Sequence, residues 1–586
     1  MHSLKISNNN EFFLAVFLIV CIQIIISFQG FDVCDDGFAL TFYQQIFKNP
    51  TSVEYNFVYW LSGIVGGLWY SIYEEGGVLW FRLLTIICTT ITFVVSFNIL
   101  KQYISKRHAL IGLAMVVFVN DFGFLTFYHN HLTALLAVSG IYFLHKGLTK
   151  NSNLAIVLAG FILGINVFSR LPNIALFIFI LAIPYMSYLR KEPLSKSIRP
   201  MLNFVMGVAI GFILVFLTLY GLGQLELMKN AMAGLIDLGK TDGSTHNIMF
   251  MFKTYLYNYK KLITLFCKLL IICGFVLSMN VYFKDNRFIK TIISLIGVLL
   301  LILLFRKGNI HIIYAIAYIG VFGVLFTKQK NSSIKIVTLL GLLMLAFLPL
   351  GSGLGIYGSG YMCIWLAMPL FLHFLSQINN MKFNLKTEHG KASVLIPKES
   401  VKHLSIILVF SFFIAKGYSI SQEAYFDKGS RFAKTYNINN KYTKGIYTTK
   451  ERADIINELL VNLKTYVSPN DYLLAYDKIP MVHFLTETKP YMYNPWPMIY
   501  DSYSFKRNLD RAEKETKVLP IIVQQKFETT GNFSEPVLDY MSETKEDNYT
   551  YDKKRTIAMN AFIKMNNYKI VWSNPYFNIY QSKKMD

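Results

Sequence analysis

Repeated apolar runs, each near the length of a bilayer-crossing helix, constrain this chain more than any other feature. A hydrocarbon core about 30 Å thick asks for about 20 predominantly apolar residues per helix, and about thirteen such runs can be counted. They cover 11–28, 78–99, 108–120, 131–147, 153–169, 171–188, 201–222, 259–281, 288–305, 309–327, 334–350, 361–377 and 403–420. Only 16% of the 586 residues are charged and 54% are hydrophobic, which excludes an ordinary soluble protein of this size. Because no water is available in lipid to satisfy backbone groups, runs of this kind must fold as helices. The expected class is a polytopic α-helical membrane protein. No small-residue cleavage site follows the first run, so it reads as an uncleaved span and not a signal peptide.

The net charge of +22 suggests a nucleic-acid binder until its placement is considered. No soluble basic domain and no basic–aromatic platform holds it, so nucleic acid is not an expected partner. Instead the basic residues gather in alternate loops, as with Lys101, Lys106 and Arg107, then Arg190, Lys191, Lys196 and Arg199, then Lys398 and Lys402. The first external loop, 29–77, carries Lys48 alone against Asp32, Asp35, Asp36, Glu54, Glu74 and Glu75. Positive-inside bias then predicts an inside N-terminus, an inside loop 378–402 and an outside C-terminus. The segment 223–258 is an external exception, and its Gly-Lys-Thr-Asp-Gly-Ser-Thr-His run lacks the strand–glycine–helix context of a Walker A loop. Six cysteines lie mostly in apolar runs and form neither a metal spacing nor a disulfide framework.

After residue 420 the composition turns polar. Expected there are helices over 451–466 and 555–565, strands over 472–476 and 521–524, and a closing strand pair at 569–572 and 577–580. The chain therefore divides into a membrane domain, 1–420, and an external α/β domain, 421–586. Within the first loop, 39–47 suits a short helix ended by Asn49-Pro50, and the aromatic stretch 56–73 suits a helix lying on the bilayer surface.

The order of an N-terminal span, the acidic stretch Phe31-Asp32-Val33-Cys34-Asp35-Asp36-Gly37-Phe38, an amphipathic segment and many further spans resembles the C-type (GT-C) membrane glycosyltransferases. That superfamily includes the protein O-mannosyltransferases and the aminoarabinose transferases. Its first external loop opens on an Asp-Glu or Asp-Asp pair, which Asp35 and Asp36 match. Asp36 departs from the commoner Glu and shortens the reach of the second acid. Asp32 is the nearest competitor.

The resemblance implies transfer of one sugar, with inversion, from a polyprenyl-phosphate carrier to a lipid, glycan or protein acceptor outside the membrane. It implies a bacterial cytoplasmic membrane setting. Asp35 is the expected base, with Asp36 beside it. For the phosphate, the resemblance offers Arg82 in the second span, Arg170 at the break Phe168-Ser169-Arg170-Leu171-Pro172, and Arg306 with Lys307 before His311-Ile312-Ile313-Tyr314. Each of these cations could equally be a snorkelling residue at a helix end. His129-Asn130-His131 stands where many family members carry a further acid, with Asp121 several residues earlier. Its histidines could hydrogen-bond phosphate or acceptor, or hold a divalent metal with Asp35; no cofactor is required by this reading.

Other features have plainer alternatives. The turn Gly351-Ser352-Gly353-Leu354-Gly355 could offer backbone N–H groups to a phosphate, or serve as a simple hairpin. The aromatic cluster 491–500, with Pro495-Trp496-Pro497, could stack on sugar rings or pack against the membrane part. Two other functional classes fit a polytopic chain. A transporter or flippase of lipid-linked sugars would carry inverted repeats and midplane charges; no repeat is seen, and most charges cluster at span ends. A non-enzymatic assembly factor would not need Asp35.

Overall fold

The computed structural model describes residues 8–583 except 120–124, 241–246, 284, 330, 332, 379–380, 388–389, 530–532, 534–535 and 548–550. Asp121 and the Thr241–His246 part of the external run lie outside the described residues. Among the described residues, nine helices are long and apolar enough to cross a bilayer, from Asn10–Ser27 to Lys398–Gln422. The pair Ile356–Cys363 and Ala367–Gln377, bent by 65°, makes a tenth if taken as one broken span. The expected count of about thirteen exceeds this. The remaining runs also fold as helices, but Lys106–Phe118 has 13 residues and Asn153–Asn166 has 14. At 1.5 Å per residue each reaches only about 20 Å. Ile310–Phe326 is likewise shorter than the spanning set.

The short helices persist because they are packed into the bundle. Asn153–Asn166 crosses Ile198–Gly221 through glycines spaced four apart on both partners, Gly160 with Gly164 and Gly207 with Gly211. A Cβ on Gly160 would sit 2.0 Å from the Phe204 carbonyl oxygen, and one on Gly207 2.0 Å from that of Val157. Small residues let backbones approach where apolar burial gives no net drive between helices in lipid.

The first loop folds into helix Asp35–Gln45, a 3-10 segment Pro50–Tyr59 and helix Trp60–Ile72. Asp35–Gln45 begins four residues before the expected start, and every residue in it is buried. Asp32 explains the early start: its carboxylate accepts from the N–H of Cys34 at 2.7 Å and of Asp36 at 2.8 Å. That capping places Asp35 and Asp36 in the first turn, where the helix dipole favours negative charge.

Beyond Lys398–Gln422 the chain builds a five-stranded sheet. Its order is Lys489–Pro490, Tyr472–Tyr476, Ile521–Gln525, Phe577–Ser582, Tyr568–Ser573. The first three strands are parallel and the last two run antiparallel to their neighbours. The observed strands and the helices Lys450–Leu463 and Lys553–Met565 match the expected elements to within a few residues.

This C-terminal region closes over the acidic loop. Gly30 N–H donates to the Tyr447 carbonyl at 2.8 Å, and Tyr447 N–H donates to that of Phe28 at 2.7 Å. Met481 N–H donates to the Val33 carbonyl at 3.1 Å. Gly37 lies so close that a Cβ there would stand 2.0 Å from the Met481 nitrogen. The glycine after the acidic pair is needed for this backbone-on-backbone contact.

Candidate active site

Asp35 heads the buried helix, and Tyr425, three residues past the last span, donates its hydroxyl hydrogen to Asp35 Oδ2. Burial pushes the Asp35 carboxyl up to about 7; the Tyr425 donor pulls it back and the Asp36 charge adds to the rise. Such a carboxylate titrates near neutrality, which suits proton abstraction.

The neighbouring acids are differently engaged. Asp36 accepts from Thr126 Oγ1 at 2.6 Å and faces the Arg82 guanidinium at 3.8 Å. Burial still raises its pKa, against Arg82 and Thr126. Asp32 is raised by burial and by the charges of Asp36 and Asp35, against its two backbone donors. Both Asp32 oxygens are committed to the helix start, so the competitor for the base is a capping group.

Arg82 is also committed. Its Nη1 donates to the Ser27 carbonyl at 2.5 Å, its Nη2 to that of Gly30 at 2.7 Å, and its Nε to Thr126 at 3.4 Å. These bonds tie the end of the first span to the acidic loop. Arg431 repeats the arrangement from the C-terminal region, donating to the carbonyls of Ile420, Ile26 and Gln29. Removing the buried clamp by Arg82→Gln leaves carbonyls unsatisfied. A loss of about 3 kcal/mol or more is expected, read as a lowered melting temperature of the purified protein.

Arg170 is the exception among the cations. Leu171-Pro172 bars continuation of the preceding helix, and Arg170 stands in an extended conformation before a 3-10 turn. It is 7% exposed, yet it forms no ion pair among the described residues. Nη2 makes one long contact, 3.5 Å to the Gly351 carbonyl, and buried Nη1 has no hydrogen-bond partner. Tyr59, Tyr128 and Tyr361 lie within electrostatic reach of both Arg170 and Asp35, so acid and cation share these three tyrosine neighbours.

His129 lies beside them, its ring stacked 4.1 Å from Tyr59 and tilted at 4.0 Å from Tyr128, within reach of Arg170. His131 turns away: its Nδ1 accepts the Tyr128 N–H at 3.1 Å and caps its own helix. Among the described residues no three His, Cys, Asp or Glu side chains group as metal ligands. The histidine pair with Asp35 therefore does not assemble the donor set of a divalent metal. Arg306 and Lys307 are exposed on their helix, Arg306 over the Tyr418 ring at 4.3 Å, and neither is brought to Asp35.

A cavity of ≈ 90 Å³ reaches one of the three shared tyrosines and is lined by Ser27, Thr85, Val116, His131, Tyr361 and Trp365 among others. Tyr361 is common to it and to the surroundings of Arg170. On the other side the expected aromatic cluster packs against the first loop, with Trp496 5.8 Å from Phe38 and Tyr500 5.6 Å from Tyr55.

Residues that the sequence did not single out hold this geometry together. Asp427 is fully buried and accepts from Phe31 N–H at 2.8 Å and from Thr448 Oγ1 at 2.6 Å. It also pairs with Lys434 at 2.9 Å and Arg452 at 3.4 Å, while Arg452 donates to the Phe31 carbonyl. Tyr425 and Asp427 follow the last span directly, and an acid that close to the membrane surface was their one sequence signal.

The structure is similar to that of ArnT from Cupriavidus metallidurans bound to undecaprenyl phosphate, at 10% identity over 98% of both chains with a TM-score of 0.40. It is also similar to the Archaeoglobus fulgidus oligosaccharyltransferase in complex with Zn and sulfate. That match has 11% identity, covers 86% of this chain and 68% of the other, and has a TM-score of 0.43. None of the curated proteins matches the chain. Residues 67–220, which carry Arg82, His129, His131 and Arg170, match the model of the dolichyl-phosphate-mannose-protein mannosyltransferase family, so in this stretch the chain is similar to GT-C membrane glycosyltransferases.

Proposed function

We propose that the protein is an integral-membrane glycosyltransferase that moves a sugar from a polyprenyl-phosphate donor to an acceptor hydroxyl, with Asp35 as base. The observation that carries this reading is Arg170, a buried guanidinium with no ion pair among the described residues, which shares three tyrosine neighbours with a carboxyl poised near neutrality. An uncompensated buried cation is costly, and an anion bound beside it offsets the cost. The phosphate of a lipid-linked sugar is such an anion, and Arg can hold it through a bidentate fork. The cavity reaching Tyr361 and Trp365 supports an adjoining place for the first part of the lipid chain. The matched family's description, a dolichyl-phosphate mannose donor and a protein acceptor, supports the same class of donor.

In this scheme the acceptor hydroxyl gives its proton to Asp35 as its oxygen forms the new bond to the anomeric carbon. The bond from that carbon to the phosphate oxygen breaks on the opposite face, and the electron pair leaves with the polyprenyl phosphate toward Arg170. Back-side displacement inverts the anomeric centre. Tyr425 positions Asp35, and His129 stacks with Tyr59 within reach of the cation. Arg82 and Asp36 hold the loop in place. Arg306 and Lys307, exposed near the end of the last span, are left with a role at the membrane surface.

The pH dependence tests the base. Asp35 acts when deprotonated, so transfer rises with pH through about 7 and levels off above it. Tyr425→Phe removes a donor that favours the charged carboxylate, so the midpoint of kcat/KM against pH should move upward by about one unit. A midpoint unmoved in that variant would count against Asp35 as the titrating group.

We further place the N-terminus and the basic loops inside, and residues 421–586 outside as a domain beside the membrane domain 1–420, in a bacterial cytoplasmic membrane. A cysteine introduced at Ser542 should then react with an impermeant thiol reagent added from outside, and one at Ser195 should not. The opposite pattern would invert the placement of the site.

A further inference from the structure

At the end of the bundle away from Asp35 a second cavity, of ≈ 760 Å³, opens between helices Lys106–Phe118, Ala367–Gln377 and Lys398–Gln422. The distance follows from one element. Helix Lys398–Gln422 has 25 residues, about 37 Å at 1.5 Å per residue, and Tyr425 just beyond its far end bonds Asp35. The cavity's wall is apolar, with Leu372, Ile406, Phe410 and Phe413 along it. Ile406 and Phe410 are 58% and 57% exposed, so the wall continues onto the outer surface of the bundle. Its rim is polar and carries Lys398 and Lys402, one helical turn apart and both exposed, with Glu399 and His108 beside them.

We infer that this groove is a binding site for a diacyl anionic phospholipid, its acyl chains along the apolar wall and its phosphate at Lys398 and Lys402. The volume falls within the range of about 300–1,000 Å³ typical of ligand sites. Apolar side chains alone would accept any lipid tail. The lysine pair at one end of the groove adds a preference for negative charge, since basic pockets between spanning helices recognise anionic head groups. Lysine ammonium groups bind phosphate as point charges and need no fixed geometry, which suits a head group at the mobile membrane surface. Glu399 disfavours a second negative charge close by, so a head group with a single phosphate charge fits the rim best. The inference is independent of the transferase reading, because no residue of the Asp35 space takes part.

The test is native mass spectrometry of the full-length protein released from detergent with equimolar phosphatidylglycerol and phosphatidylcholine of identical acyl chains. The wild type should retain one phosphatidylglycerol in preference to phosphatidylcholine. The double variant Lys398→Gln/Lys402→Gln should weaken that retention on the order of tenfold, since each basic side chain near the surface contributes severalfold. Ser405→Trp, which fills the groove and leaves both lysines in place, should weaken it as well. Equal retention of the two lipids by the wild type overturns the inference, as does preferential retention that survives in either variant. Because the lysines are exposed, their replacement leaves the packing of the bundle untouched.

Discussion

Asp35→Asn should leave the protein folded and able to bind donor while sugar transfer falls by a factor of about 10² or more. The amide keeps the size of the carboxylate, and its oxygen still accepts from Tyr425, but it cannot take the acceptor's proton. Donor binding should survive, because the proposed phosphate grip is Arg170 and not Asp35. Stability moves the other way from activity. The folded-state pKa of Asp35 is raised from 3.8 to about 7, so the folded state holds its proton to higher pH than the unfolded chain. Folding is therefore penalised as pH rises through that window, and the neutral Asn variant should melt higher than the wild type above pH 7. Asp36→Asn is milder in turnover. Asp32→Asn should act chiefly on stability, by about 1 kcal/mol, because its oxygens cap the helix. The measurement is sugar transfer by purified variants in nanodiscs, with donor binding and melting in parallel. Full activity in Asp35→Asn, with loss in Asp32→Asn, would move the base to Asp32.

Arg170→Met should produce the second large effect, now in donor recognition. Removing one partner of a desolvated charge pair costs about 2–5 kcal/mol, or roughly 30-fold to several thousandfold in donor affinity. Apo stability should hold or rise, since a buried cation with no ion pair among the described residues is replaced by an apolar chain of similar length. Polyprenyl phosphate should raise the melting temperature of the wild type and not of the variant. Arg170→Lys retains the charge without the fork and should fall between them. A variant that binds donor as tightly as the wild type would detach the phosphate from Arg170 and leave the mechanism without its electrophilic partner.

Much of this protein is legible in the sequence because lipid leaves few choices. A run of apolar residues can satisfy its backbone only as a helix, so the expected runs fold as helices, with 361–377 split between two helices bent by 65°. The carboxylates of the first loop stand out for a similar reason: at a membrane surface they are too costly to keep without a use. Short apolar runs between polar stretches likewise located the strands Tyr472–Tyr476 and Ile521–Gln525 of the C-terminal sheet, both buried along nearly their whole length. Local pattern also placed Arg170 at a helix break, because Pro172 stops a helix wherever the chain later packs, whereas Asp35 is singled out by the family resemblance of its loop.

Tertiary structure alone decided which charges are available. Arg82 and Arg170 are both arginines at the ends of apolar runs, and nothing local says which of them finds partners for its guanidinium. Arg82 meets the carbonyls of Ser27 and Gly30, more than fifty positions away in the chain, and is consumed by them. Arg170 meets tyrosines and a single long carbonyl contact, and stays uncompensated. The same holds for Asp32, Asp35 and Asp36, separated by where N–H, O–H and guanidinium donors fall around them. Tyr425 reaches Asp35 across 390 positions, and Asp427 fastens Phe31 across 396. Span length, helix ends and strand pattern are properties of neighbouring residues and can be read from them. Desolvation and charge compensation depend on which distant segments the fold brings within a few ångströms, so only the folded chain fixes them.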